Sequence, residues 1–326
     1  MVGNSPPMRR VYREIDRLAR PQVPILLLGE TGTGKDMAAR AISQIWGPDR
    51  PFVVVCCAVI AANLIESELF GHERGAFSGA WRRHEGFVAQ ADRGILFLDE
   101  IAELPLQSQA TLLRVIETGE YRRVGGERTL RSDFRLLAAT NRDLDALVAE
   151  GRFRRDLLHR LGAARIALPP LRERLADLPL LSASFLRAHR HGEGAGKPLV
   201  PSKDAMSLLR RSEWPGNVRQ LRNVIEAVAA VVSDGEIEPR HVSAFLSRAS
   251  RDSSASENEP LPSLADVVAR AEAQAIGEAL RRSGGNRVLA ASWLGISPAT
   301  LYRKLADLDG RLAEEGLSNL RNGSQI

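Results

Sequence analysis

Cysteines and long hydrophobic runs are scarce in this sequence. The only cysteines among its 326 residues, Cys56 and Cys57, are adjacent inside an apolar run, which suits neither a disulfide framework nor a zinc site. We expect both to be reduced, buried, small side chains. No apolar run reaches about 18 residues and no secretory leader is recognisable, so we predict no membrane span, no membrane partner and a cytoplasmic location.

Lysine is far less frequent than arginine among the basic residues. The net charge of +5 and the isoelectric point near 9.7 weakly favour a phosphate-bearing partner, although such a balance is also common in arginine-rich proteomes. Hydrophobic residues are plentiful, and at 44% of the chain they can supply a real core. The length fits one large domain with one or two small ones.

Short apolar runs alternate with helix-like stretches from Pro24 to about Pro170. The runs ILLLG, FVVVCCA, ILFLDE and FRLLAATN predict a parallel sheet with helices on both faces, and so an α/β domain over residues 1–170. Helical spacing without strands predicts a mostly helical subdomain over 171–246. Residues 247–263 are rich in Ser, Glu and Pro and predict a flexible linker. Helical periodicity then predicts a small all-α domain over 264–326.

A glycine-rich loop follows the apolar run ILLL and precedes the helix-like stretch DMAARAIS. This strand, loop and helix order is required of a phosphate-binding loop, in which backbone amides surround the β-phosphate and a lysine reaches the β- and γ-phosphates. The pattern normally ends in Ser or Thr, whose hydroxyl holds Mg²⁺, but an aspartate stands there. The predicted nucleotide-binding residues are Gly29, Glu30, Thr31, Gly32, Thr33, Gly34, Lys35 and Asp36. They predict ATP and Mg²⁺ as cofactors.

The run ILFLDE supplies two acids at the end of a predicted buried strand. Two carboxylates at such a position are unfavourable unless a cation is nearby. We expect Asp99 to belong to the metal shell and Glu100 to polarise an attacking water. Together with the glycine-rich loop, these acids favour ATP hydrolysis over a nucleotide-free scaffold.

The stretch GAFSGA, residues 75–80, offers too little apolar area to fill a core layer, so a role other than packing is expected. It resembles the GAFTGA loop of the AAA+ bacterial enhancer-binding proteins, transcription activators that act on sigma-54 RNA polymerase. The resemblance begins at Gly3-Asn4-Ser5-Pro6, includes LIESELFGHE and LPPLRER, and covers almost the whole chain. It implies a P-loop AAA+ α/β domain followed by a helical lid.

The resemblance implies that GAFSGA projects into the pore of a ring and contacts the sigma factor. Phe77 would be the tip of the contact, and Ser78 keeps the hydroxyl of the family threonine while losing one methyl. The implied sigma-factor contacts are Gly75, Ala76, Phe77, Ser78, Gly79 and Ala80. The implied partner is therefore sigma-54 RNA polymerase, and the implied assembly is a homo-oligomeric, hexameric ring.

Four further residues receive roles from the same resemblance. Asn141, in AATN, matches the first sensor near the γ-phosphate. Arg154 and Arg160, in FRRDLLHRL, match arginine fingers that act on the ATP of the neighbouring subunit. Arg219, in WPGNVRQL, matches the second sensor in the helical lid.

Two positions depart from the family pattern. Cys56 stands where most members have an asparagine that restrains the catalytic glutamate, and a thiol cannot make the same hydrogen bond. Ala89 stands where the family sequence GRFE has a glutamate that helps to transmit the nucleotide state to the loop. We therefore expect the coupling between ATP hydrolysis and the loop to differ in this chain.

Residues 284–305, GGNRVLAASWLGISPATLYRKL, predict a helix-turn-helix that resembles the Fis-type domain of the same family. Ala290 and Ala291 permit close helix approach, and Ser297 with Pro298 begins a second helix. We expect Leu301 and Leu305 to be core residues. The Arg281–Arg282 pair is available to phosphates. The candidate contacts to enhancer DNA are Arg287, Ser297, Thr300, Tyr302, Arg303 and Lys304.

Two other functions stay open on the sequence. The first is a DNA-binding regulator with a degenerate ATPase, in which nucleotide only controls assembly; Cys56 and Ala89 favour it. The second is a general AAA+ protein unfoldase, which the helix-turn-helix disfavours. The AAA+ region begins almost at the first residue, so we expect the input signal to come from a regulatory protein in trans, from expression level, or from a sensor segment outside this sequence.

Overall fold

The computed structural model describes residues 1–190, 199–232, 235–254, 276, 279–280, 282–284 and 286–303, and structural statements below concern these residues. The chain divides into two compact units, Met1–Ser254 and Ala255–Ile326. Within the described residues, no helix is both long and apolar enough to cross a membrane.

A five-stranded sheet forms the centre of the first unit. Its strands lie in the order β2-β3-β6-β1-β7 and every pairing is parallel. The strands are β1 (Ile25–Leu28), β2 (Phe52–Cys56), β3 (Ile95–Asp99), β6 (Arg135–Thr140) and β7 (Arg165–Ala167). Because β6 is buried along its whole length and β3 nearly so, the sheet must be covered on both faces. The predicted α/β fold is confirmed.

Helices pack on the two faces of this sheet. Neighbouring residues of a strand point to opposite faces, and Leu26 and Leu27 accordingly belong to two different core clusters. Leu27 packs with the buried faces of α1 (Pro6–Ala19) and α2 (Lys35–Trp46). The other helices of this part are α3 (Ile65–Phe70), α4 (Phe87–Gln90), α5 (Leu106–Thr118), α6 (Leu144–Ala149) and α7 (Arg155–Leu161). A hairpin of β4 (Glu120–Arg122) and β5 (Thr129–Arg131) stands apart from the sheet.

A helical subdomain follows the sheet. Its helices are α8 (Leu178–Arg190), α9 (Lys203–Arg211), α10 (Asn217–Val231) and α11 (Pro239–Ser254). The expectation that this region contains no strands was wrong, because β8 (Val200–Pro201) and β9 (Glu236–Ile237) form a short parallel pair. Ile237 is fully buried, so the pair anchors an apolar side chain that a two-residue strand is too short to reveal by periodicity.

The end of α11 differs from the predicted boundary. The linker was expected to begin at residue 247, but the helix continues to Ser254. No glycine or proline interrupts the helix after Pro239, so nothing in the backbone chemistry stops it earlier. The remainder of the predicted linker, residues 255–263, lies outside the described residues.

The described part of the second unit contains α12 (Arg287–Trp293), and residues 298–303 are also helical. Ala290, Ala291 and Leu301 are fully buried and pack with Ile276 and Ala279. Gly295 has a φ of 68° in the turn between the two helical stretches, a conformation that glycine adopts without strain. The prediction that Leu301 is a core residue is confirmed, whereas Leu305 lies outside the described residues.

Candidate functional site

The phosphate-binding loop, residues 29–36, joins the end of β1 to the start of α2. Gly32 and Gly34 have φ values of 78° and 103°, where a side chain would introduce strain. Because α2 begins at Lys35, the amides of its first turn have no acceptor within the helix. The positive end of the helix dipole adds to these donors. The loop therefore presents unpaired N–H groups of the kind that bind a phosphate.

Lys35 connects this loop to the acids at the end of β3. Its side chain is buried, and Nζ donates to the carbonyl of Gly29 at 2.9 Å while lying 3.7 Å from Oε1 of Glu100. The amide of Asn141 donates to Oε2 of Glu100 at 3.3 Å, and Nδ2 of Asn141 donates to Oγ1 of Thr31 at 3.0 Å. Residues from three neighbouring strand ends thus meet at one edge of the sheet.

Asp99 and Glu100 occupy different environments. Burial is the main cause that raises the pKa of Asp99; the charge of Glu100 raises it further, and Lys35 opposes the shift. Glu100 has a left-handed backbone with a φ of 51°, which turns its side chain toward Lys35 and Asn141. A half-buried carboxylate with this charge balance is a suitable ligand for a cation.

Cys56 lies beside Asp99 across the β2–β3 pairing. Residues paired in register point to the same face of a sheet, so Cys56 and Asp99 lie side by side on one face at the ends of their strands. Cys57, in contrast, is buried, and that burial raises the pKa of its thiol to about 12. The expectation of two buried thiols holds for Cys57 only, because Cys56 at the strand end is half-buried.

Glu30 and Arg219 connect the loop to the helical subdomain. Glu30 accepts two hydrogen bonds from Arg172, at 2.6 and 2.9 Å, and one from Asn217 at 3.1 Å. These hydrogen bonds hold the pKa of Glu30 below its usual range, and those from Arg172 have the larger effect. The amide of Arg219 donates to the carbonyl of Gly32 at 3.3 Å. Sequence reasoning missed Asn217, although the dipeptide Gly-Asn after a proline is a signal for a left-handed turn.

Arg154 and Arg160 stand at the two ends of α7. Both side chains are exposed. The guanidinium of Arg154 donates to both carboxylate oxygens of Asp156, at 3.0 and 2.6 Å. Arg160 lines a cavity of about 740 Å³ together with Arg93 and Arg131. These contacts do not bring either arginine to the phosphate loop of its own chain.

The GAFSGA stretch forms a compact loop between α3 and α4. Gly75 donates to the carbonyl of Ala80 at 2.8 Å, and Ala80 donates to that of Phe77 at 3.0 Å. The Phe77 ring contacts His72 edge-on with centroids 5.0 Å apart, yet remains 38% exposed. Ala76, Ser78 and Gly79 complete the loop, and of its six residues only Ala80 is buried. Sequence reasoning passed over Trp81, which directly follows the loop and is 84% exposed.

The predicted DNA-contacting residues that are described lie on or beside the two helical stretches of the second unit. Oγ of Ser297 accepts from the amide of Thr300 at 3.1 Å, which caps the second stretch. The Arg287 guanidinium lies 5.2 Å from the centre of the Tyr302 ring. Tyr302 and Arg303 are exposed. Lys304 and Arg281 lie outside the described residues.

Three family profiles match consecutive parts of the chain. A profile described as "Sigma-54 interaction domain" matches residues 1–167, and one described as "AAA+ ATPase lid domain" matches residues 172–259. A profile described as "Bacterial regulatory protein, Fis family" matches residues 267–308. The first two therefore cover the unit that carries the phosphate loop.

Curated relatives match over nearly the whole chain. The DNA-binding transcriptional regulator NtrC of Azospirillum brasilense is 41% identical over 337 residues, covering 95% of this chain and 69% of that protein. The Nif-specific regulatory protein of Azotobacter vinelandii is 44% identical over 312 residues, covering 95% of this chain and 59% of that protein. This chain thus spans about three fifths to two thirds of the length of these relatives.

Solved structures agree with these relatives. The crystal structure of NtrX from Brucella abortus in complex with ATP superposes with a TM-score of 0.76 at 33% identity, covering 94% of this chain and 69% of that one. A RuvB mutant of Thermotoga maritima superposes with a TM-score of 0.53 at 15% identity, which shows likeness of fold alone.

Proposed function

This chain belongs to the sigma-54-dependent transcription activators that bind DNA through a Fis-type helix-turn-helix, and on that premise we propose that it hydrolyses ATP to remodel the closed promoter complex of sigma-54 RNA polymerase. The observation that carries the proposal is the meeting of Lys35, Glu100, Asn141 and Thr31 at one edge of the sheet, with contacts of 3.0 to 3.7 Å. Such a cation, acid and amide arrangement serves phosphoryl transfer.

The residues present fit a magnesium nucleotide. The unpaired amides at the start of α2 and the buried ammonium of Lys35 match the charge of a β,γ-diphosphate. Asp99 would hold Mg²⁺ from the protein side, and Asp36 stands where a hydroxyl would normally do so. The described residues contain no cluster of three metal-ligating side chains, so the phosphates would supply much of the coordination. When bound, MgATP supplies the phosphoryl group that is transferred to water.

Each side chain at this edge has a distinct role in the proposal. Lys35 binds the phosphates, and Glu100 orients and deprotonates the attacking water. Asn141, directly after β6, contacts the γ-phosphate and so links the presence of that phosphate to the position of the strand end. Arg154 and Arg160 would act on the nucleotide of the neighbouring subunit, which requires a ring. The hexamer is an inference from the family resemblance.

The remaining partners follow from the two other surfaces. The exposed Phe77 at the tip of the GAFSGA loop would contact sigma-54. The exposed Tyr302 and Arg303, together with Arg287, would contact enhancer DNA, because aromatic and basic side chains at a second helix are typical of major-groove readers.

Steady-state ATP turnover of the full chain, with and without sigma-54 polymerase and promoter DNA, tests this proposal. We expect turnover in both conditions and ATP-dependent open-complex formation. ATP binding with no turnover in either condition would favour the alternative, a DNA-binding regulator in which nucleotide only controls assembly. That alternative draws on Cys56, which pairs with Asp99 in the β2–β3 register, and on Ala89, which packs against the core cluster that includes Leu98.

A further inference from the structure

The side of the phosphate loop that faces the helical subdomain, or lid, accepts hydrogen bonds from a set of donors that we call the lid clamp. Three consecutive loop carbonyls accept hydrogen bonds from residues between positions 174 and 219. The bonds are Asn217 Nδ2 to Thr31 O at 3.1 Å, Val218 N and Arg219 N to Gly32 O at 3.0 and 3.3 Å, and Arg174 Nη2 to Thr33 O at 2.7 Å.

The lid clamp determines where the loop amides point. In a trans peptide the C=O and the following N–H lie in one plane and point in opposite directions. Fixing the carbonyls of Thr31 and Thr33 toward the lid therefore turns the amides of Gly32 and Gly34 to the opposite side. We infer that this is the side on which the amides at the start of α2 would also meet a phosphate.

Asn217 is the residue of the lid clamp with the most specific geometry. It is fully buried and has a φ of 51°, a left-handed conformation that few residues other than glycine adopt. Its Oδ1 accepts from the amide of Leu171 at 2.8 Å, and its Nδ2 donates both to Thr31 O and to Glu30 Oε2. One carboxamide thus joins the loop, the connection after the sheet and the start of α10.

The phosphate loop and the start of α10 approach each other as closely as two glycines permit. A Cβ on Gly32 would lie 2.3 Å from the carbonyl oxygen of Gly216, so the loop and the start of α10 touch backbone to backbone. Rotation of the lid would carry Asn217 with it and would pull on the Thr31 carbonyl directly.

We propose that Asn217 is a positioning residue for ATP: through Thr31 it holds the phosphate loop with its amides turned toward the phosphates, and so makes nucleotide affinity depend on the position of the lid. This rests on the proposed nucleotide site. The role is separate from that expected of Arg219, whose side chain would contact the nucleotide itself.

The test is Asn217→Gly in the full chain, because glycine keeps the left-handed backbone and removes only the carboxamide. We expect the dissociation constant of a fluorescent ATP analogue to rise about tenfold, the effect of about one lost hydrogen bond. In the nucleotide-free protein, the amide of Thr33, which donates to the carbonyl of Glu30 at 3.3 Å, should exchange with deuterium faster than in the wild type.

Gln220→Ala is the matched control. Gln220 is also buried in the first turn of α10, but its Oε1 accepts a hydrogen bond at 3.0 Å from the amide of Gly216, within the helical subdomain. The Gln220→Ala variant should lose a similar free energy of unfolding in urea, because it too loses one buried hydrogen bond. Its ATP affinity and the amide exchange of the loop should stay within about twofold of the wild type, because the lost bond is not made to the loop.

Three outcomes would overturn the proposal. These are wild-type affinity in folded Asn217→Gly, equal losses of affinity in Asn217→Gly and Gln220→Ala, or disappearance of the Asn217→Gly effect in an Arg219→Ala background, which would mean that Asn217 acts only through Arg219. Lys35→Ala separates this question from the nucleotide site as a whole: if that variant also binds ATP normally, the proposed nucleotide site itself is wrong.

Discussion

Nζ of Lys35 and Oε1 of Glu100 are 3.7 Å apart, yet replacing the two residues should have different effects on nucleotide binding and ATP turnover. Lys35→Ala should abolish nucleotide binding because it removes the cation of the phosphate loop. Glu100→Gln should preserve binding and lower ATP turnover by about 10²–10⁴-fold, the usual contribution of a general base. Fluorescent nucleotide binding and steady-state turnover measure the two effects separately. Normal turnover in the glutamine variant would remove Glu100 from its role.

A substitution at Cys56 tests which residue restrains the side chain of Glu100. The thiol lies beside Asp99 in the β2–β3 register, where the family resemblance implies an asparagine that holds the glutamate back. An amide hydrogen bond is worth about 0.5–1.5 kcal/mol, enough to shift a two-state equilibrium several-fold. We therefore expect Cys56→Asn to lower basal ATP turnover several-fold and to increase the response of turnover to sigma-54.

The control for this prediction is Cys57→Ala. Cys57 is adjacent but buried on the other face of the strand, so its replacement should cost only packing stability and leave turnover unchanged. If Cys56→Asn behaves like the wild type with and without sigma-54, then Glu100 is restrained instead by its contacts to Lys35 and to the amide of Asn141.

The GAFSGA loop depends on the β4–β5 hairpin for its position. Gly125 in that hairpin has a φ of 72°, and a Cβ there would lie 2.7 Å from the Cβ of Ala76. We expect Gly125→Ala to displace the loop, and so to reduce open-complex formation several-fold while basal ATP turnover is retained. Phe77→Ala should show the same pattern more strongly, because it removes the contact itself. Both variants are measured by turnover and by promoter opening.

Gly235→Ala is the matched control for backbone strain. Gly235 has a φ of 89°, but a Cβ there meets no atom of the described residues within 4 Å, so we expect its replacement to cost about 1–2 kcal/mol of left-handed strain without a clash. It should leave promoter opening unchanged. Equal loss of opening in Gly125→Ala and Gly235→Ala would show that general destabilisation, and not the position of the loop, causes the defect.

Four of the five strands of the sheet and the phosphate loop could be predicted because their signals are local, whereas the three-residue strand β7 and the β4–β5 hairpin were missed. The run ILLL followed by three glycines and a lysine needs no distant contact to be read, and the same holds for the two acids after ILFL. The β8–β9 pair and the lid clamp could not be predicted. Each depends on segments about 35 residues or more apart that meet only in the folded chain, and a hydrogen bond from Asn217 to Thr31 leaves no periodic trace in sequence.

We expect ATP turnover to require the association of several subunits. Arg154 is engaged with Asp156 in its own chain, and Arg160 lines a cavity away from the phosphate loop, so neither completes the site within one subunit. If each acts on the ATP of a neighbour, Arg154→Ala and Arg160→Ala should bind ATP normally while turnover falls by about 10³–10⁵-fold, as for other arginine fingers.

Mixing two inactive variants distinguishes action in trans from action in cis. A subunit with Arg160→Ala still carries Glu100, and a subunit with Glu100→Gln still carries both arginines. At an interface where the second donates its arginines to the first, every group of one complete site is present. We therefore expect mixed rings to recover part of the wild-type turnover, with a maximum near equal proportions, and each variant alone to remain inactive. Fluorescence energy transfer between two differently labelled variants would establish that mixed rings form; if they form and no turnover returns at any ratio, Arg160 does not act across the subunit interface.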